Sequence, residues 1–335
     1  MKKLLSLLAC LLLVLSQTAA ALAEVTEAEQ DQYYYWMEDL VYGIGNRNVA
    51  IEGSERALQY LIAEYQALGG DFADGTLQLC PVEGTTYWGF DIHSSDVIGV
   101  RRAVNENPNI IVFSAHYDSI AGPGARDNAS GVAAVLLLLQ RFSQREPFAD
   151  TEFRFIAFTA EETGHQGSQA YVASLPQEER DRIVAVFNMD MIVVDDWQEE
   201  DFSLTCDTLG GRTAGGYVSG DEEREDAPVQ NAASRAFLQA IADLNAFDPS
   251  DAGDRYAVRC KGDSDHDSFH AAGIDAVSIS FRGKPGTDGM WSTLMHSEND
   301  LIGEFDWDAT WTALDILYTA AAGLAGDAAY GSGME

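Results

Sequence analysis

Short apolar runs of strand length alternate with longer helical segments along most of this 335-residue chain. Apolar residues at helical spacing predict helices near 54–68, 129–142, 229–244 and 306–324. Continuous apolar stretches predict strands near 97–104, 109–115, 153–159, 183–189 and 275–281. Such alternation is typical of an α/β fold, in which helices cover both faces of a mainly parallel sheet. We therefore predict one α/β domain over residues 24–325 and a flexible tail over 326–335.

Metal-competent side chains follow four of the predicted strands. They are two histidines and four carboxylates, namely His116, Asp127, Glu161, Glu162, Asp190 and His296. Because α/β folds build ligand sites where strands end, we expect these groups to converge on one site. Imidazole nitrogen and carboxylate oxygen are donors that zinc accepts. The pattern therefore predicts a hydrolase with a zinc centre.

The adjacent glutamates Glu161 and Glu162 suit such a centre, because neighbouring side chains of an extended chain point to different sides. One glutamate of the pair can bind a metal while the other faces the water that the metal activates. Two zinc ions about 3.5 to 4 Å apart can together hold a nucleophilic oxygen and the substrate carbonyl. The pair therefore indicates both a ligand and a general base.

Several sequence blocks, in order, resemble the signature of the secreted bacterial leucyl aminopeptidase-type zinc peptidases, over about residues 34 to 325. The blocks are His116-Tyr117-Asp118-Ser119, residues 124–131, Ala160-Glu161-Glu162 with residues 167–171, Asn188-Met189-Asp190-Met191, Ser264-Asp265-His266 and His296-Ser297. The resemblance implies a three-layer αβα sandwich around a mixed, mainly parallel sheet of about eight strands. It also implies two Zn²⁺ per chain and hydrolysis of the peptide bond next to a free amino terminus.

The resemblance also implies a role for each site residue. One zinc would be bound by His116 and Asp190, the other by Glu162 and His296, with Asp127 bridging both. Glu161 would be the general base that activates a metal-bridging water. Asp118 would orient His116, and a cis peptide bond would follow Asp127. The family uses the block with Asp265 and His266 near the substrate pocket. His165 departs from the family, where an apolar residue is usual, and is expected at the pocket rim.

The amino terminus predicts export. Lys2 and Lys3 precede an apolar stretch over residues 4–15, and Ala21-Leu22-Ala23 forms a small-residue cleavage site before Glu24. We therefore interpret residues 1–23 as a signal peptide, cleaved between Ala23 and Glu24. No later segment reaches the roughly 18 apolar residues that a membrane helix requires, so we expect no membrane association after cleavage.

The chain is strongly acidic, with a net charge of −34. Nucleic acid and anionic membranes would be repelled, whereas the cationic amino terminus of a peptide would be attracted. Acidic runs near 195–201 and 221–226 are interpreted as solvated loops, with calcium binding left open.

Three cysteines remain after the signal peptide, an odd number for an exported protein. Cys206 and Cys260 flank the long segment before Ser264-Asp265-His266 and are the preferred disulfide pair, which leaves Cys80 unpaired.

Three other functions share this pattern. A glutaminyl cyclase would use the same fold with one zinc. A zinc carboxypeptidase would need a cation for the terminal carboxylate, for which Arg126 and Arg282 are candidates. A binding protein on the same scaffold would have lost ligands, whereas this chain retains all five and the base.

Overall fold

The structure, a computed structural model, describes residues 24–195, 202–208, 230–252, 255–260, 263–283 and 294–326. The strands are β1 (Leu77–Thr85), β2 (Asp91–Arg101), β3 (Asn109–His116), β4 (Thr151–Phe158), β5 (Ile183–Met189), β6 (Phe202–Thr208), β7 (Tyr256–Cys260) and β8 (Ala276–Gly283). The helices are α1 (Glu27–Glu38), α2 (Glu52–Ala67), α3 (Ser130–Ser143), α4 (Gln166–Ser174), α5 (Gln177–Arg180), α6 (Ala232–Leu244), α7 (His266–Ala271) and α8 (Trp307–Leu324). Two π-helical turns span Asp39–Ile44 and Ala125–Ala129.

All eight strands belong to one sheet, in the order β1-β2-β4-β3-β5-β8-β6-β7. The central strands β4, β3, β5 and β8 run parallel, and β6 pairs in parallel with β7. The β1–β2, β2–β4 and β6–β8 pairs are antiparallel. The predicted mixed sheet of about eight strands is therefore confirmed.

Helices pack on both faces of the sheet, because side chains alternate between faces along each strand. On β3, Ile111 and Phe113 belong to the core beneath α1, α2, α3, α6 and α8, whereas Ile110 and Val112 belong to the core beneath α4 and α7. Helix α3 is apolar almost all round because β3 lies on one side of it and α1 and α8 lie on others. This arrangement is the predicted three-layer αβα sandwich.

The predicted disulfide between Cys206 and Cys260 is wrong, because Cys206 is a free, buried thiol. In the parallel register of β6 and β7, Cys206 lies opposite Val258, and Cys260 lies opposite Thr208. The two cysteines are thus offset by two residues along neighbouring strands, which separates their Cα atoms by about 8 Å and exceeds the usual reach of a disulfide. Cys80 is also a free, buried thiol.

Within the described ranges, none of the helices is both long enough and apolar enough to cross a bilayer. The predicted signal peptide and residues 327–335 of the predicted tail lie outside the described residues. The acidic runs considered for calcium also lie outside them, except for Asp195.

Candidate active site

The structure brings the six predicted metal-site side chains together at the carboxyl ends of the central parallel strands. His116 is the last residue of β3, and Asp190 follows β5 directly. Glu161 and Glu162 lie just beyond β4, which pairs with β3 on its other side. The remaining two residues arrive on loops: Asp127 on the π-helical turn before α3, and His296 beyond β8.

Asp127 connects two groups of donor atoms, because its two oxygens face different histidines. Its Oδ1 lies 3.1 Å from His116 Nε2, and its Oδ2 lies 3.1 Å from His296 Nε2. His116 Nε2 is also 3.7 Å from Asp190 Oδ1, and His296 Nε2 is 3.0 Å from Glu162 Oε2. In each group, His116–Glu161–Asp190 and Asp127–Glu162–His296, the donor atoms lie within 4.8 Å of one another.

The site concentrates negative charge on mostly buried carboxylates. Burial, reinforced by the charge of Asp127, raises the pKa of Glu162 to about 7. Burial also raises the pKa of Glu161 well above its usual range. Contacts with Asp127 and Glu162 raise the pKa of His296 to about 10. Such a place favours a cation, and the buried Glu162 Oε1, which has no hydrogen-bond partner, is a ready ligand atom.

Asp118 fixes the strand ends that carry His116 and the two glutamates. Its carboxylate accepts the backbone N–H of Glu161 at 3.1 Å and that of Glu162 at 3.3 Å. His116 Nδ1 lies 3.1 Å from the Asp118 carbonyl oxygen and 3.6 Å from its carboxylate. If Nδ1 carries the proton, Nε2 is free to bind a metal. This geometry is consistent with the predicted role of Asp118, which is to orient His116.

Asp300, which the sequence analysis missed, holds the Asp127 loop in place. Its buried carboxylate accepts the backbone N–H of Arg126 at 3.0 Å and that of Asp127 at 3.2 Å. Asp300 lies four residues after His296, so it ties the two loops that supply the second donor group. The peptide bond between Asp127 and Asn128 is cis, as expected from the resemblance.

Asn128 and Gly124 also hold the Asp127 turn in place. Asn128 Oδ1 accepts the backbone N–H groups of Gly131 and Met191, and its Nδ2 donates to the Met189 carbonyl at 2.8 Å. These bonds join the Asp127 turn to the chain around Asp190. Gly124 has φ +56°, and a Cβ there would lie 2.1 Å from the Asp127 carbonyl oxygen, so only glycine fits.

Arg47 is the second residue that the sequence analysis missed. Its guanidinium is fully buried and donates to backbone carbonyls of residues 40, 45, 117, 123 and 124. Residues 117–124 lie between His116 and Asp127 in the chain. Arg47 therefore supports the segment that joins two predicted metal ligands.

The predicted pocket residues divide into two groups. His165 lines the cleft together with the metal-site residues other than His116, and its Nε2 lies 3.4 Å from Glu161 Oε1. Asp265 and His266 are buried at the start of α7 and are absent from the described lining of the cleft. Their place in the substrate pocket therefore stays a prediction. Burial raises the pKa of Asp265 to about 7.

The model of peptidase family M28 matches residues 96–321. The chain belongs to peptidase family M28. It is 32% identical over 229 residues to aminopeptidase YwaD of Bacillus subtilis, a match that covers 68% of this chain and 44% of YwaD. The chain therefore spans less than half the length of that relative. The match to the M28 family confirms the predicted resemblance and the predicted class, a peptidase.

Two solved structures are similar to the chain. BSAP, a zinc aminopeptidase from Bacillus subtilis, matches with a TM-score of 0.57 and 29% identity over 70% of this chain and 50% of that one. Glutaminyl cyclase from Porphyromonas gingivalis matches with a TM-score of 0.66 over 90% of this chain and 99% of that one. Its 15% identity shows a shared fold alone.

Proposed function

We propose that this M28 chain is a secreted aminopeptidase that uses two zinc ions to hydrolyse the peptide bond next to a free amino terminus. The shared Asp127 carboxylate carries the proposal, since its oxygens lie 3.1 Å from both His116 and His296. The signal sequence predicted over residues 1–23 supports export of the mature chain.

The donor set fits the proposed zinc pair. His116 and Asp190 would bind one ion, Glu162 and His296 the other, and Asp127 both. When bound, zinc would supply Lewis acidity and lower the pKa of water in the cleft. The buried Glu162 Oε1 has no hydrogen-bond partner and is surrounded by other carboxylates, so a bound cation would compensate it.

Glu161 is the proposed general base. Its backbone is held by Asp118, and its side chain lies beside His116 and Asp190 without being needed for either proposed ion. It would take a proton from the attacking water and pass it to the leaving amine. Burial raises the pKa of Glu161 and the nearby His116 acts in the opposite direction. A raised pKa suits a group that takes a proton from water and returns it in one turnover.

The charge of the cleft favours an amino terminus over a carboxylate as the bound end of the substrate. Its described lining includes five carboxylates and a single arginine or lysine, Arg282, whose Nε lies 3.1 Å from the buried Asp207 Oδ2. Arg126 does not reach the cleft lining, because it pairs with Asp300 and Asp195 and lies over the Phe305 ring. Because Arg282 lines the cleft, a carboxypeptidase is the second candidate function.

A peptide blocked at one end or the other separates these functions. We expect leucyl-alanyl-alanine to be cleaved, its N-acetyl form to lose at least about 100-fold in kcat/KM, and its C-terminal amide to change by less than about fivefold. Acetylation removes the positive charge of the amino terminus, which the acidic cleft binds. The amide removes only the negative charge at the other end of the peptide. The measurement is product release followed by mass spectrometry.

The opposite pattern, with the amide resistant and the acetylated peptide cleaved, would establish a carboxypeptidase that uses Arg282. A glutaminyl peptide that loses ammonia and cyclises, with no hydrolysis of leucyl peptides, would instead establish the cyclase. A zinc-replete protein that does neither would be a binding protein.

Zinc content tests the bridging role. We expect two zinc ions per chain by elemental mass spectrometry of the purified protein, and at most one in Asp127→Asn, because an amide cannot offer two anionic oxygens to two ions. Asp31→Asn, on the exposed face of α1, is the matched control and keeps both ions. A single ion in the wild type would contradict the zinc pair.

A further inference from the structure

Three large aromatic side chains stand exposed on the turn that connects β1 to β2. Tyr87 is 67% exposed, Trp88 56% and Phe90 59%. We refer to these three residues as the aromatic tip. Other exposed large apolar residues of the described chain, such as Phe72, Val104 and Leu301, do not cluster on this turn. Large aromatic side chains exposed together on one turn are typical of an interaction site.

The aromatic tip is an ordered turn. The backbone N–H of Thr86 donates to the Phe90 carbonyl at 2.8 Å, and the Phe90 N–H donates to the buried Thr86 Oγ1 at 3.0 Å. The Tyr87 and Trp88 rings contact each other edge to face, with centroids 6.5 Å apart. A fixed aromatic surface binds a partner at a smaller entropic cost than a loop that must first be ordered.

The same turn is attached to the loop that carries the two catalytic-site glutamates. Gln166 Nε2 donates to the Thr85 carbonyl at 3.0 Å and to the Thr163 carbonyl at 2.9 Å, so one side chain joins both loops. The Tyr87 hydroxyl lies above Gly164, where φ is +100° and a Cβ would come within 2.7 Å of that oxygen. The position of the aromatic tip is therefore fixed relative to Glu162.

The aromatic tip is continuous with the active-site cleft, because Tyr87 lines that cleft together with Glu161, Glu162 and His296. The interior of the cleft is acidic and suits the amino terminus of a peptide, whereas the tip is uncharged and apolar. A peptide whose amino terminus enters the cleft must leave through its open rim, and two extended residues span about 7 Å. Tyr87 is an exposed part of this lining, so residues beyond the scissile bond can contact it.

We propose that the aromatic tip binds the apolar side chains of the second and third residues of the substrate. This inference rests on the proposed aminopeptidase function and names the substrate class: oligopeptides with large apolar residues after the first. Trp88 and Phe90 make the apolar contacts, and Tyr87 joins them to the cleft. The tip contributes to substrate affinity and takes no part in the chemical step.

The test compares two peptides, Leu-Phe-Phe-Ala and Leu-Ser-Ser-Ala, on the zinc-loaded full chain. We expect the wild type to prefer the first peptide. In the double variant Trp88→Ala/Phe90→Ala, the ratio of kcat/KM for the two peptides is expected to fall roughly tenfold. The loss falls on KM rather than kcat, because the tip does not touch the reacting bond. Phe72→Ala removes an exposed aromatic outside the turn and keeps the wild-type preference.

Calorimetric binding of both peptides to Glu161→Gln separates this inference from the proposed function. If the wild type hydrolyses leucyl peptides but neither kinetics nor binding favours the aromatic peptide, the inference is overturned and the function stands. If nothing is hydrolysed but binding still favours the aromatic peptide through Trp88 and Phe90, the function fails and the surface stands.

Two other partners of the aromatic tip give different results. A second copy of the chain would appear as a dimer in analytical ultracentrifugation that the double variant dissociates. A lipid surface would appear as flotation of the wild type with phosphatidylcholine vesicles. Either result, together with an unchanged peptide preference in the double variant, overturns the assignment to substrate.

Discussion

Replacing Glu161 with glutamine is expected to lower kcat for peptide hydrolysis by about 10²- to 10⁴-fold, the usual contribution of a general base. The amide keeps the size of the side chain and leaves its backbone N–H bonded to Asp118. It loses the ability to accept a proton from water. Steady-state kinetics on a leucyl anilide measures the effect, and Glu178→Gln, exposed on α5, is the control with full activity.

Zinc content decides between two roles of Glu161, because it lies in one donor group with His116 and Asp190. If Glu161 is the base, Glu161→Gln keeps two zinc ions and loses hydrolysis. If it is a ligand, the variant loses an ion together with activity. Full activity with two ions would assign the base to another group. Glu162→Gln removes a proposed ligand and is expected to lose zinc, so it is the reference for the effect of ligand removal.

The convergence of the donors could be predicted because most of them follow strands directly. His116 ends β3 and Asp190 directly follows β5, and the two strands are parallel neighbours, so the sheet alone places these residues side by side. Glu161 and Glu162 follow β4, the other neighbour of β3. In these cases a local apolar run and the rules of parallel pairing are sufficient. Asp127 and His296 arrive on loops, and only the resemblance to a family assigned them roles.

Three strands could not be located from their own residues, because each is at or near a sheet edge and carries weak strand signals. The edge strand β1 contains Pro81 and Gly84, which are tolerated there but are rare in central strands. The edge strand β7 is only five residues long, and β6 follows an acidic run. The expected number of strands therefore came from the family and their positions came from the structure.

Arg47 and Asp300 show why supporting residues escape sequence analysis. Arg47 donates to carbonyl groups, which every residue has, so nothing in the sequence indicates its partners. Asp300 accepts backbone N–H groups from a turn more than 170 residues earlier. Only the fold brings such partners together, although these contacts determine where the predicted ligands lie.

Changing Arg47 to methionine is expected to lower the free energy of unfolding by about 3 kcal/mol or more, since removing a buried charged donor leaves several carbonyl oxygens without a partner. Burial lowers the pKa of Arg47 to about 10, while the carboxylates of Asp118 and Asp300 act in the opposite direction. The group thus remains a cation at neutral pH. Methionine is similar in length but has neither the charge nor the donors. Urea unfolding in the presence of a chelator measures this stability without a contribution from metal binding.

Zinc affinity tells whether Arg47 positions the site as well as stabilising the fold. Its Nε donates to the Tyr117 carbonyl at 2.7 Å and its Nη2 to that of Gly124 at 3.1 Å, at the two ends of the segment between His116 and Asp127. Loosening this segment is expected to weaken zinc binding by about 10- to 100-fold, as loss of an outer contact of a metal site does. Competition with a chromophoric chelator measures it.

Two further variants separate a positioning role of Arg47 from a purely structural one. Arg47→Lys keeps the charge but cannot reach all the carbonyls, so it should recover part of the zinc affinity. Arg56, exposed on α2, also donates to backbone carbonyls, at 2.6 Å to Gly43, and Arg56→Met should change neither stability nor zinc affinity. If Arg47→Met loses stability but binds zinc as tightly as the wild type, Arg47 only holds the fold together. If the two losses occur together and lysine restores both in part, the buried arginine positions the metal ligands from behind.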